Sequence, residues 1–231
     1  MKRKQLMQLI KDKFDSFQKL NYNYKIVLNS ISIVWFGNVE KYFKSKLKII
    51  TVSLNPSDIE FKDNKADAPT TNLRFPDYDG SVESLYSAYN KYFLKNPYNA
   101  WFKASFGAVL KSFNASHYEN DSYATSPTWS KLTEHKKSIL EPIGSKSWHS
   151  LMRILEPDII LFSASNNFEK KIKFHQEGNW AFKNVKAKKP LLIGRFNIST
   201  NKKAVVFISS TREKAFSTNK QRRETKVQRA Y

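Results

Sequence analysis

Runs of β-branched and apolar residues punctuate this chain, each closed by a turn signal, and between them apolar positions recur at helical spacing. The run 47–52 reaches Ser53 and Leu54 and then turns into Asn55-Pro56-Ser57. Bounded in this way, it reads as a strand buried on both faces, usually in a parallel sheet. Residues 156–165 repeat the signal: Pro157 leads in, Ile159, Ile160, Leu161 and Phe162 follow, and Ser163, Ala164 and Ser165 close it. Two further strand candidates lie at 190–194 and 204–208. Helical spacing joins Leu6, Leu9, Ile10, Phe14 and Phe17 into a basic amphipathic helix that would cover the sheet. It also joins Leu85, Tyr86, Tyr89, Tyr92 and Phe93, then Trp101, Phe102, Phe106, Val109 and Leu110, into a mostly core-facing aromatic stripe. Residues 148–155 predict a packing helix ahead of the second strand, whereas 26–36 fits helix and strand alike. Four β-rich runs separated by helical stretches predict an α/β fold. The expected form is a three-layer α/β/α sandwich around a central, mostly parallel four-stranded sheet, with right-handed connections.

At 231 residues the chain suits one full domain, predicted over 1–217 with 1–45 as a helical cover and 218–231 as a basic, partly flexible tail. Composition adds a partner. A formal charge of +20 makes a field that attracts polyanions, nucleic acid first among them, and 14% aromatic residues with five Trp argue for a packed domain. Blocks such as Lys186-Ala187-Lys188-Lys189 and Gln221-Arg222-Arg223 suit phosphate contacts. The absence of cysteine excludes disulfides, a thiolate nucleophile, an iron–sulfur cluster and a Cys-based zinc site. His117, His135, His149 and His175 have no metal-ligand spacing and read as surface or packing residues, so no metal is expected. No signal peptide and no membrane span is read from the first residues, which lack a sustained apolar stretch and a small-residue cleavage site.

Chemistry is expected in the loop after the first strand, because open α/β sheets bind ligands outside their strands' carboxyl ends. Pro56 fixes its own φ and pushes Asn55 out of helical geometry, holding the Asn55 side chain at the strand's exit. An uncharged amide there can position water or a substrate amide but cannot abstract a proton. The polar stretch 58–83, with Asp58, Glu60, Asp63, Asp67, Asp77, Asp79 and Glu83, is a long loop beside this position. Within it Phe75 either stacks on an extruded base or pins the loop to the core.

The phrase Ser53-Leu54-Asn55-Pro56-Ser57 after a strand resembles the first motif of the uracil-DNA glycosylase superfamily, a Gly/Ser-x-Asn/Asp-Pro loop. Asn99-Ala100-Trp101-Phe102 is similar to the Asn-x-Phe-Trp segment of its mismatch-specific branch, and 156–165 to its Lys-Pro-x-Val-Val-Leu strand. Residues 118–132 resemble its next strand end and Pro-containing turn, with Ala124 to Trp129 as the turn. The resemblance implies a monofunctional glycosylase without cofactor, a monomer, that flips a pyrimidine out of double-stranded or locally opened DNA and leaves an abasic site. It implies a cytoplasmic, prokaryotic protein that meets chromosomal or phage DNA.

By position, the resemblance makes Asn55 catalytic and gives base contacts to Ser53, Leu54, Ser57, Ser163 and either Asn120 or Asp121. Leaving such a base-reading group unpaired with a wrong base costs on the order of 1–3 kcal/mol. Thr125, Ser126, Thr211, Arg212 and Lys214 would touch the DNA backbone. The last motif departs from the family: in place of His-Pro-Ser or Asn-Pro-Ser stands Ser209-Ser210-Thr211-Arg212. Ser209 or Ser210 can donate a hydrogen bond to the departing base but supplies no cation, which Arg212 would have to bring. Strictly uracil-specific members place a tyrosine just beyond Asn/Asp-Pro to block groups on C5 of the pyrimidine. Ser57 is small, so a C5-modified base, such as glucosylated hydroxymethylcytosine in phage DNA, is the expected substrate. Uracil or mismatched thymine is the alternative target, and a catalytically inactive DNA-binding module an alternative role. Pro157-Asp158 with Glu169-Lys170-Lys171 also fits the letters of a PD-ExK Mg-dependent nuclease, although 166–174 lacks the strand alternation such a nuclease needs.

Overall fold

The computed structural model describes residues 1–20, 32–53, 75, 77–95, 116–119, 132–163, 166–183 and 191–209. The N-terminal amphipathic pattern folds as helix α1, Lys2–Leu20, which buries Leu6, Leu9, Ile10, Lys13 and Phe17 and leaves Phe14 only partly covered. Residues 32–36, which fit helix and strand alike, form neither. They run as a buried irregular segment with a single bridge at Phe36, and Trp35 lies 5.1 Å from the Tyr89 ring and 5.7 Å from Tyr86. Asn38 caps the short helix α2, Val39–Lys44, by accepting the Lys41 amide at 2.9 Å.

Strand β1, Ile49–Ser53, is followed among the described residues by helix α3, Val82–Lys95. Here Asp79 accepts the Ser81 amide at 2.9 Å and the Ser81 hydroxyl oxygen accepts the Ser84 amide at 3.0 Å. Hydrogen bonds from the side chains of Ser81 and Ser84 and the Ser81 amide draw the Asp79 carboxyl down to about 2. Then come β2, Ser116–Glu119, and the long helix α4, Glu134–Leu155, capped by the Thr133 hydroxyl. Helix α4 ends at Glu156, whose φ of 50 is the one positive value at a non-glycine among the described residues. The predicted packing helix 148–155 is thus the last third of a longer one. Helix α1 packs mainly against α3 and α4, so it covers helices rather than lying directly on the sheet as expected.

Strand β3, Ile159–Ser163, leads into a short 3-10 helix, Asn166–Lys171. Strands β4, His175–Lys183, β5, Leu191–Ser199, and β6, Lys202–Ser209, complete the described elements. These strands form one open mixed sheet of six in the order β2-β1-β3-β6-β5-β4. Strand β1 pairs in parallel with β2 and β3, and β3 with β6, whereas β5 runs antiparallel to β6 and β4 to β5.

The expectation of four strands is therefore corrected. The candidate at 190–194 is an antiparallel strand, β2 stands in the parallel set instead, and β4 forms an edge that hydrophobic patterning misses. One sheet face is dry: Ile50, Val52, Ile160, Phe162, Val206, Ile208 and Phe196 are each at most 1% exposed. On that face Gly194 sits under Trp180, where an added Cβ would lie 2.8 Å from the indole and 2.9 Å from the Phe196 ring. Those aromatic atoms are held by their own contact at a centroid distance of 5.3 Å, so a methyl must displace rings. Gly194→Ala is expected to cost about 1–2 kcal/mol by overpacking, read as a lower urea midpoint with an unchanged slope.

Candidate functional site

The amino edge of the parallel strands is stitched by Asp158. Its carboxylate accepts the Lys48 amide at 2.8 Å through Oδ2 and pairs through Oδ1 with the Lys202 ammonium. Its own amide donates to the Lys48 carbonyl at 2.9 Å, and its carbonyl accepts the Val205 amide at 2.9 Å. One residue thereby ties the starts of β1, β3 and β6. Partial burial would raise its carboxyl, but the hydrogen bonds from Lys202 and the Lys48 amide, with the nearby positive charges, outweigh it and hold it below the usual carboxylate value.

Stitching one edge sets the register at the other. Strands β1 and β3 are both five residues long, with Ile49 opposite Ile159 and Val52 opposite Phe162. Ser53 stands opposite Glu119, and Ser163 opposite Ser209. The four parallel strands therefore finish in one row, Glu119, Ser53, Ser163 and Ser209, which at the usual strand spacing is about 14 Å wide. The row contains a topological switch point: the chain leaving β1 goes next to β2 on one side, and the chain leaving β3 returns through β6 on the other.

Three residues expected at the site, Ser53, Ser163 and Ser209, thus share one register row. Leu54, Asn55, Ser57, Asn120, Asp121, Thr125, Ser126, Ser210, Thr211, Arg212 and Lys214 lie outside the described residues. Glu119 was missed by the sequence reading, because Ser-His-Tyr-Glu has no apolar pattern and becomes a strand only by pairing with β1.

Two expectations are corrected. Phe75 does not stand at a mouth: it is 2% exposed, stacks on Phe36 at 6.0 Å and meets Tyr89 edge-on at 5.4 Å. Its ring pins the chain ahead of α3 to the aromatic core, and stacking on a base would require extracting it. The nuclease letters separate as well. Asp158 is committed at the amino edge, Glu169 lies on a 3-10 helix beyond the opposite end of β3, and Lys171 pairs with Glu141 at 2.9 Å. Among the described residues no three His, Asp or Glu side chains gather as a metal-binding group.

His149 is a packing residue with an assignable tautomer. The Lys173 amide donates to its Nε2 at 3.0 Å, so the proton sits on Nδ1, which donates to the Ser145 carbonyl at 2.7 Å. Burial, then the charges of Arg153 and Lys173, hold its pKa below the ordinary value despite the Ser145 bond. Folded protein therefore keeps His149 neutral where an unfolded chain would already bind a proton. Stability linked to this group is full above about pH 6.5 and is lost as pH falls from there through the lower folded value, at no more than about 1.4 kcal/mol per pH unit. Chemical denaturation at stepped pH is expected to show that slope, and His149→Phe to flatten it.

No protein-family model matches this chain, and no curated protein matches its sequence. No helix among the described residues is long and apolar enough to cross a membrane.

Proposed function

We propose that the protein is a monofunctional DNA glycosylase that hydrolyses the N-glycosidic bond of a flipped-out pyrimidine, with a C5-modified cytosine as the favoured base. The observation that supports this reading is the common row: residues of the strand-end motifs leave adjacent parallel strands at one level, around a switch point. Extruding a nucleotide costs a few kcal/mol, which pocket contacts must return. Asn55 would hold the hydrolytic water against the anomeric carbon, and no strong base is needed because the sugar passes through an oxocarbenium-like state. Preorganised dipoles, including a hydroxyl of Ser209 or Ser210, would stabilise the departing base. Arg212 would bring positive charge, Asn120 or Asp121 would read the base edge, and the small Ser57 would leave room at C5. The reading carries with it a three-layer sandwich, a monomer working on DNA in a prokaryotic cytoplasm, and no cofactor.

Labelled duplexes containing uracil, mismatched thymine or glucosylated hydroxymethylcytosine test it. Breakage of the modified strand only after alkali, unaffected by EDTA, is expected. Ready release of uracil with modified cytosine left intact overturns the substrate, and Mg²⁺-dependent scission without alkali overturns the reaction class. One observation favours a second reading: Ser209-Ser210-Thr211-Arg212 lacks the His-Pro-Ser signature. In a non-catalytic DNA-binding module, Asn55→Ala would leave the biological effect unchanged.

A further inference from the structure

The outer side of α4 carries cations that the row of strand ends does not use. Lys146 and Arg153 are both exposed and seven residues apart, so they lie within about 20° of each other around the helix and about 10 Å apart along it. The segment after the 3-10 helix runs alongside, and Lys173, also exposed, is fastened there by the hydrogen bond that its backbone N–H donates to His149. The Arg153 guanidinium lies over the Phe174 ring at 5.4 Å, and Phe174 in turn packs on His149 at 4.7 Å.

The nearby acids are already engaged or turned inward. Glu141 holds Lys171, Glu156 holds Lys2 at 2.7 Å, and Oε2 of Glu169 is buried. Among the described residues, Lys146, Arg153 and Lys173 have no carboxylate partner. Like charges along one strip repel, and the field of Arg153 and Lys173 falls on a neutral, desolvated imidazole. A bound polyanion removes that repulsion.

We propose that Lys146, Arg153 and Lys173 form a strip that binds the sugar-phosphate backbone of nucleic acid, apart from the row of strand ends. Its length matches the rise of about three nucleotides along one strand. Helix α4 ends three residues before β3 begins, so Arg153 and Lys173 lie toward the amino edge of the sheet. Contacts of Arg153 and Lys173 are roughly 15 Å or more from the row, given the rise of a five-residue strand, and would hold DNA flanking the target. Only the choice of nucleic acid over other polyanions rests on the proposed function.

His149 is the reporter: among the described residues it is faced by Arg153 on its own helix, Lys173 on the neighbouring segment, Trp148, Phe174, and the carbonyl and hydroxyl of Ser145. An unmodified short duplex is titrated into the full chain while the ring nitrogens of His149 are followed by NMR. The expected result is a rise in its pKa of several tenths of a unit, abolished by high salt. In K146Q/R153Q/K173Q, duplex affinity is expected to fall uniformly across sequences and the slope of log K against log salt to shrink by about 3. The proposal is overturned if wild-type protein binds the duplex with no change at His149. It is also overturned if the substituted protein, folded by its melting curve, keeps the full salt slope, or if phosphatidylserine vesicles displace the duplex at equal anion concentration. Asn55→Ala is expected to keep the His149 response, so loss of base release and failure of the strip are read separately.

Discussion

Asn55→Ala is expected to lower base release by roughly 10²–10³-fold at saturating substrate, the loss typical of removing one preorganised polar group from a reacting centre. The amide's proposed work is confined to the transition state: it holds water in line with a bond that is breaking, and it contributes little to the intact duplex. DNA affinity should therefore change little while the single-turnover rate collapses, which is the signature of lost transition-state stabilisation rather than lost binding. Asn55→Asp is the informative companion. A carboxylate keeps the geometry and adds stabilisation of positive charge on the sugar, so a rate close to the parent is expected. Single-turnover release from a glucosylated hydroxymethylcytosine duplex, with duplex affinity measured in parallel, checks both. An Asn55→Ala protein that releases base at the parent rate removes the amide from the mechanism.

Asp158→Ala is expected to destabilise the fold by about 3 kcal/mol, since it deletes a charge-assisted bond to Lys202 and a bond to the Lys48 amide in a half-buried position. The Lys48 N–H would lose its partner at the start of β1, and the tie between β1, β3 and β6 would rest on backbone contacts alone. Asp158→Asn keeps an acceptor for that amide and is expected to recover about half the loss. Because the folded carboxyl titrates below its unfolded value, its contribution is complete above about pH 4 and fades as pH falls through the lower folded value. Urea midpoints at neutral and acid pH give the test: the parent and Asp158→Ala should converge in acid. The same variant bears on chemistry. A metal-dependent nuclease would lose strand scission even when folded, whereas a glycosylase assayed below its unfolding transition should retain base release.

How far the sequence reveals this molecule depends on where each element gets its energy. Strands β1, β3 and β6 are visible as contiguous β-branched runs because they are buried at the sheet centre and their own side chains supply the driving force. Strand β2, with Ser116, His117, Tyr118 and Glu119, has no such run, and its hydrogen bonds to β1 make it a strand. Strand β4 is also polar and is broken by a register shift between Glu177 and Ala181, with Gly178 at a φ of 70, which suits an edge that must not recruit other chains. Phe75 illustrates the opposite ambiguity. An aromatic in a polar loop fits a stacking platform and a core plug equally, and only the Phe36, Tyr89 and Tyr92 rings around it decide for the plug. The strip along α4 was hidden because Lys173 lies twenty residues from Arg153 in the chain and is brought beside α4 by tertiary contacts, among them its hydrogen bond to His149 and the packing of Phe174.

From residue order alone came the local facts: which runs extend, which coil into helices, that an amide guarded by proline follows the first strand, and that the whole is strongly cationic. Those properties belong to short stretches, where hydrophobic period and turn chemistry act between near neighbours. Tertiary structure decided which strands are adjacent, which run antiparallel, and that Glu119, Ser53, Ser163 and Ser209 end level. That row depends on Lys48, Asp158 and Lys202 meeting across separations of 110 and 44 residues. No local pattern encodes such a meeting, because its free energy exists only once the chain has brought the distant groups together.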